Sequence, residues 1–172
     1  GRGQASAVSR NMPSPAAGRR SLSLAMQLDK LNCGVAKKVK PTVVAIVARK
    51  ARKDNEESST RSEKALQQDF GSGFLIDPNG FILTNHHLVE GALALEVSLA
   101  DGRSVPGRMV RSDPSSDIAL VKIELGSLPV ARLGDSNGLE AGQRILAIGH
   151  PFGLLQTVSS GIIAALGRSD LS

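Results

Sequence analysis

The sequence has no tryptophan, no tyrosine and only four phenylalanines among its 172 residues. Any core must therefore be aliphatic, built from Val, Ile, Leu and Ala. A single cysteine, Cys33, excludes an internal disulfide and an all-cysteine zinc site. The longest unbroken apolar run, residues 43–48, is far too short for a transmembrane helix. Residues 1–69 contain no aromatic side chain. Single-stranded nucleic-acid sites pair basic groups with stacking rings, so no nucleic-acid partner is expected. Residues 1–28 contain no acidic side chain, but four Arg and five Ser. They read as a disordered basic leader, of a composition that also suits an organelle transit peptide; the apolar stretch of a secretory signal is missing.

What is present is the composition of a folded domain, 41% hydrophobic and 22% charged. The net charge of +5 is unevenly placed. Residues 1–69 carry 14 basic against 6 acidic side chains, residues 70–172 carry 7 against 10. The basic excess thus belongs to the N-terminal segment and reads as a solvated tail.

Leu28, Leu31, Val35 and Val39 fall at helical steps and are halted by Pro41. Residues 42–48 are β-branched and predict a buried strand. Residues 49–69 are charged and polar and predict a long exposed loop. From Phe70 onward, short apolar runs are punctuated by turn signals, beginning with Asp77-Pro78-Asn79-Gly80. Runs at 74–76, 81–84, 95–99, 105–110, 117–123, 144–148 and 158–166 predict an all-β barrel or sandwich. No long helical period follows residue 70, which argues against a βαβ fold.

Two of the three histidines, His86 and His87, are adjacent, and Asp117 lies 30 residues beyond the second. An Asp beside a His fixes its tautomer and stabilises the imidazolium, which makes the His a general base. On an extended segment successive side chains face opposite ways, so only one of the pair can face Asp117. The same geometry argues against a zinc site. His150 reads as a loop side chain bonded to nearby backbone. Gly134-Asp135-Ser136-Asn137-Gly138 fits a Gly-x-Ser-x-Gly nucleophile pattern, but such an elbow needs a strand-to-helix turn with Asp and His following. Here both precede it, and the segment reads as a turn.

Gly71-Ser72-Gly73-Phe74, Leu83-Thr84-Asn85-His86-His87-Leu88-Val89 and Ser116-Asp117-Ile118-Ala119-Leu120 resemble the stretches around the catalytic histidine and aspartate of the HtrA/Deg family of trypsin-like serine proteases. Leu133-Gly134-Asp135-Ser136, Ala147-Ile148-Gly149-His150-Pro151-Phe152-Gly153, Thr157-Val158-Ser159-Ser160-Gly161 and Leu166-Gly167-Arg168 continue the resemblance in order. It runs collinearly over roughly residues 35–172. It implies a chymotrypsin-like double β-barrel, with a leader at 1–28, an N-terminal helix and a nearly complete first barrel at 29–125, and a truncated second barrel at 126–172. It also implies catalytic His87 and Asp117 as base and orienting partner, no cofactor, and unfolded or damaged proteins as substrates. A homotrimer and an extracytoplasmic or organellar setting follow from the same resemblance.

The sequence departs from the family at His86, where Asn or another small polar residue is usual, and at His150, where Asn is common. The family's nucleophile sits in a Gly-Asn-Ser-Gly-Gly segment after the counterpart of Gly167-Arg168, and no such segment occurs in these residues, nor does a PDZ domain. The expectation is an HtrA-like serine endopeptidase whose nucleophile lies beyond this chain, with the 172 residues inactive and association-prone by themselves. The alternative is a non-catalytic product that binds unfolded segments.

Overall fold

A computed structural model describes residues 15–51, 66–150 and 156–167. The chain divides into two units, residues 1–35 and 36–172. Helix α1 (Pro15–Val39) fills the described part of the first unit and ends just inside the second. It opens inside the segment expected to be leader, upstream of the apolar stripe that announces it. Residues 1–14 lie outside the described residues. Lys37 and Lys38 sit in its last turn, where positive charge opposes the helix dipole. Pro41 stops the helix as expected. The chain tightens into one 3₁₀ turn at Lys40–Thr42, and the Thr42 hydroxyl donates to the Val39 carbonyl at 2.8 Å.

Six strands of the second unit close into an antiparallel barrel: β1 (Val43–Ala51), β2 (Leu66–Asp77), β3 (Phe81–Asn85), β4 (Ala92–Ser98), β5 (Ser104–Asp113) and β6 (Ile118–Ile123). Around the barrel their order is β1-β2-β3-β6-β5-β4. The first barrel is thus closed, and closure leaves it no free edge. The centre of the expected 49–69 loop, residues 52–65, lies outside the described residues. Its two ends are strand, because the β1–β2 ladder runs on to Ala51 opposite Leu66. The core cluster is wholly aliphatic, centred on Val44, Ile46, Leu75, Ile82, Val97, Val121 and Ile123. Burying each such side chain contributes roughly 1.5–3 kcal/mol.

Gly80 closes the turn between β2 and β3 with a φ of 93°. Its N–H donates to the Asp77 carbonyl, and a Cβ there would lie 2.4 Å from the Ile123 carbonyl. Only glycine suits both the dihedral and the space.

Beyond the barrel, β7 (Arg144–Gly149) and β8 (Thr157–Ile162) form a two-stranded antiparallel sheet. Among the described residues three hydrogen bonds tie the residues flanking it to the barrel and to the 3₁₀ turn before it. The His150 amide donates to the Ser72 hydroxyl at 2.7 Å, and the Gln156 amide donates to the Lys40 and Val43 carbonyls at 2.6 and 2.9 Å. Every residue of β8 is exposed, as are Ile145 on β7 and Val158 and Ile162 on β8. A two-stranded sheet alone is marginal in water.

Candidate active site

The turn after β5 is built by one carboxylate. Asp113 accepts from the Ser115 amide and hydroxyl at 3.0 and 2.7 Å, and from the Ser116 hydroxyl at 2.8 Å. Asp-Pro-Ser-Ser is suited to this, since Asp caps a turn by accepting from the backbone two residues on. The turn delivers Asp117 in a left-handed conformation, φ 53°, which Asp tolerates better than most residues.

Asp117 then organises the segment after β3. His86 and His87 lie in a one-turn helix, α2 (His86–Val89), and not on the extended segment expected. A four-residue helix is too short to announce itself by periodicity. Its leading N–H groups have no partner within the helix, and Asp117 supplies them. The Asp117 carbonyl accepts from the His86 amide at 3.1 Å, and Oδ1 accepts from the His87 amide at 2.9 Å. Oδ2 lies 2.7 Å from His87 Nδ1 and accepts from Asn85 Nδ2 at 3.1 Å.

The structure thus brings His87 and Asp117 together. The imidazole of His86 turns away, with Nε2 3.6 Å from Glu90 Oε1 and a side chain only 13% exposed. Successive residues sit about 100° apart on a helix, which separates the two rings as alternation on a strand would have. The His87 side chain is 73% exposed and that of Asp117 is 43% exposed.

The His87 amide, then its ring, hold the Asp117 carboxyl below the usual carboxylate range, with Asn85 adding to the effect. Asp113 is held low as well, first by the Ser115 hydroxyl and then by that of Ser116. A carboxylate held low binds its proton more weakly folded than unfolded. Its contribution is present at neutral pH and is lost as the pH falls through the lowered value. The hold of these two carboxylates on their turns therefore weakens in acid.

A cleft of about 320 Å³ opens beside Asn85, Ser116 and Asp117, with Ser72, Thr84 and Ile148 also on its wall. Ser136 lies on a 3₁₀ turn, Ser136–Gly138, whose Asn137 amide donates to the Asp135 carboxylate, not on a strand-to-helix elbow. The His150 Nδ1 is buried with no hydrogen-bond partner among the described residues, and burial lowers the pKa of the ring. The backbone amide of His150 makes the bond instead, to Ser72.

Sequence reasoning missed Asp113 and Asn85 as supports of this arrangement. The Asp-Pro-Ser-Ser turn signal could have revealed the first. Nothing local marks the second.

The family of trypsin-like peptidase domains matches residues 71–171. Residues here are 45% identical, over 107 positions, to a probable periplasmic DegP-like serine endoprotease of Marinomonas sp. (strain MWYL1). They are 47% identical, over 111 positions, to the periplasmic serine endoprotease DegP of Escherichia coli (strain K12). Each match covers 62% of this chain and 23% of the relative, so the chain spans about a quarter of these curated relatives' length. Among solved structures, the HtrA-type protease AlgW with a tripeptide superimposes at a TM-score of 0.70 and 36% identity, over 81% of this chain and 42% of that one. AlgW with a decapeptide gives 0.68 and 32%, over 81% and 47%.

Proposed function

Since this chain belongs to the trypsin-like peptidase family and carries part of an HtrA/DegP-type protease domain, we propose that His87 is the general base of a serine endopeptidase and that Asp117 orients it. The observation that carries the reading is the double grip of one carboxylate on one residue. Asp117 takes both the His87 amide and, at 2.7 Å, Nδ1.

A carboxylate has no proton to give, so Nδ1 carries the hydrogen and Nε2 keeps its lone pair. The exposed ring leaves that nitrogen free to work. In the proposed reaction it takes the proton of a serine hydroxyl as the oxygen attacks the peptide carbonyl. It later gives that proton to the departing amine, while Asp117 stabilises the intervening imidazolium.

The nucleophile and its oxyanion donors belong, in this proposal, to a Gly-Asn-Ser-Gly-Gly segment outside these residues. The substrates proposed are unfolded or damaged proteins, in keeping with relatives named as endoproteases and solved with peptides. A homotrimer and an extracytoplasmic or organellar setting complete the proposal; relatives named periplasmic support the setting. No described helix is long and apolar enough to cross a membrane.

An organophosphorus reagent that bonds to activated serine tests the reading on the native protein. One serine, in a Gly-Asn-Ser-Gly-Gly context, is expected to take the label, and hydrolysis of an unfolded protein is expected to stop. Binding of unfolded polypeptide with no labelled serine would instead favour the non-catalytic reading, through strand addition to exposed β8.

A further inference from the structure

Lys50 stands near the end of β1, two residues beyond Ala48 and four beyond Ile46, both wholly buried. Alternation along the strand turns Lys50 toward the same side as these core residues. The β1–β2 register runs through Lys50 unbroken, opposite Gln67, and the slip in the β1–β4 ladder beside it leaves out Leu93 of β4 and no residue of β1. The Lys50 side chain is only 19% exposed. Its Nζ lies 2.9 Å from Asp69 Oδ2 and donates to the His87 carbonyl, also at 2.9 Å.

We propose that Lys50 is a positioning residue for His87, gripping its carbonyl while Asp117 grips its amide and ring. The inference rests on the reading of His87 as general base. In α2 the Glu90 amide bonds to the His86 carbonyl at 2.9 Å, while the His87 carbonyl belongs to the terminal group that a helix leaves without partners. A lysine near a helix C-terminus satisfies such a group. The imidazole, being largely exposed, is not held by packing. Its aim depends on how firmly its backbone is held.

Lys50 is itself anchored. Gln67 Nε2 donates to Asp69 Oδ1 at 3.0 Å, and Asp69 Oδ2 takes the ammonium. The Asp69 carboxyl accordingly lies below the usual range, through Lys50 first and Gln67 second. Gly71, next but one along β2, lets α2 sit close: a Cβ there would lie 2.4 Å from Leu88 Cδ2. Two elements thus hold the turn that carries His87, β2 by close approach and β1 through Lys50.

The test uses this chain and reads the tautomer of uncharged His87 from its imidazole nitrogen chemical shifts. Lys50→Met keeps the apolar stem and removes the donor. The ratio of the Nδ1–H to the Nε2–H tautomer is expected to fall about tenfold, the weight of one charge-assisted hydrogen bond. Barrel amide exchange should stay unchanged, and Lys50→Arg should recover most of the ratio. An unchanged ratio in folded Lys50→Met overturns the proposal. Should Lys50→Met not fold, Asp69→Asn is read the same way; a smaller fall is expected, and no fall overturns the proposal. The readout is a proton position and not hydrolysis, so failure of the peptidase reading would register separately, in the serine labelling.

Discussion

The 172 residues by themselves are expected to hydrolyse no peptide bond at a measurable rate. His87 is placed to accept a proton, but a general base accelerates nothing without a nucleophile to deprotonate. Ser136 has the only flanking pattern suggestive of one, and it sits on an exposed 3₁₀ turn. Loss of the nucleophile or base of such a triad lowers turnover on the order of 10⁶-fold, and what survives comes from the oxyanion hole and substrate binding. The family's oxyanion donors belong to the same segment as its serine, so that residue of activity is expected to be missing too. The check is release of fragments from an unfolded protein by the purified 172-residue chain. Cleavage that disappears in His87→Ala would mean that a serine within these residues does the work.

Asp117→Asn, in a protein that includes the nucleophile, is expected to lower kcat about 10⁴-fold with little change in KM, as in a comparable triad. The geometry supplies the reason. Asp117 Oδ2, 2.7 Å from Nδ1, selects the tautomer with the hydrogen on that nitrogen. An amide can turn its NH₂ group toward the ring and stabilise the opposite tautomer, which puts a hydrogen where the serine's proton must go. The helix turn should survive, because Asn still offers an oxygen to the His87 amide. Steady-state kinetics with a peptide substrate separate the two parameters. A large rise in KM, or a fall of less than tenfold in kcat, would mean that Asp117 acts mainly as the cap of α2.

The strands were legible where side chains alternate or cluster between turns. Each apolar run from residue 74 onward lies wholly or mostly within a strand. Closure was not legible, because it pairs β1 with β4 and β3 with β6, and such contacts leave no local mark. The start of β2 was hidden for a related reason. Leu66-Gln67-Gln68-Asp69 is as polar as a loop, and it is strand because β1 extends opposite it and Lys50 answers the Asp69 charge.

His87 and Asp117 were legible through resemblance, while the geometry between them was not. The extended reading of His86-His87 placed one ring toward Asp117 for a reason the helix replaces. Lys50 was invisible as anything but a loop charge, since its role depends on where β1 ends relative to α2. His150 shows the converse. Its place on a loop suggested a bonded side chain, while among the described residues the contact is made by its amide, to Ser72, and Nδ1 has no partner.

The most direct measurement of the central claim joins residues 1–172 to the remaining C-terminal part of the protease domain of the Escherichia coli relative and follows cleavage of an unfolded protein, with and without His87→Ala. The account predicts cleavage by the joined protein and a fall on the order of 10⁶-fold in the variant. Cleavage at an undiminished rate in His87→Ala would contradict it.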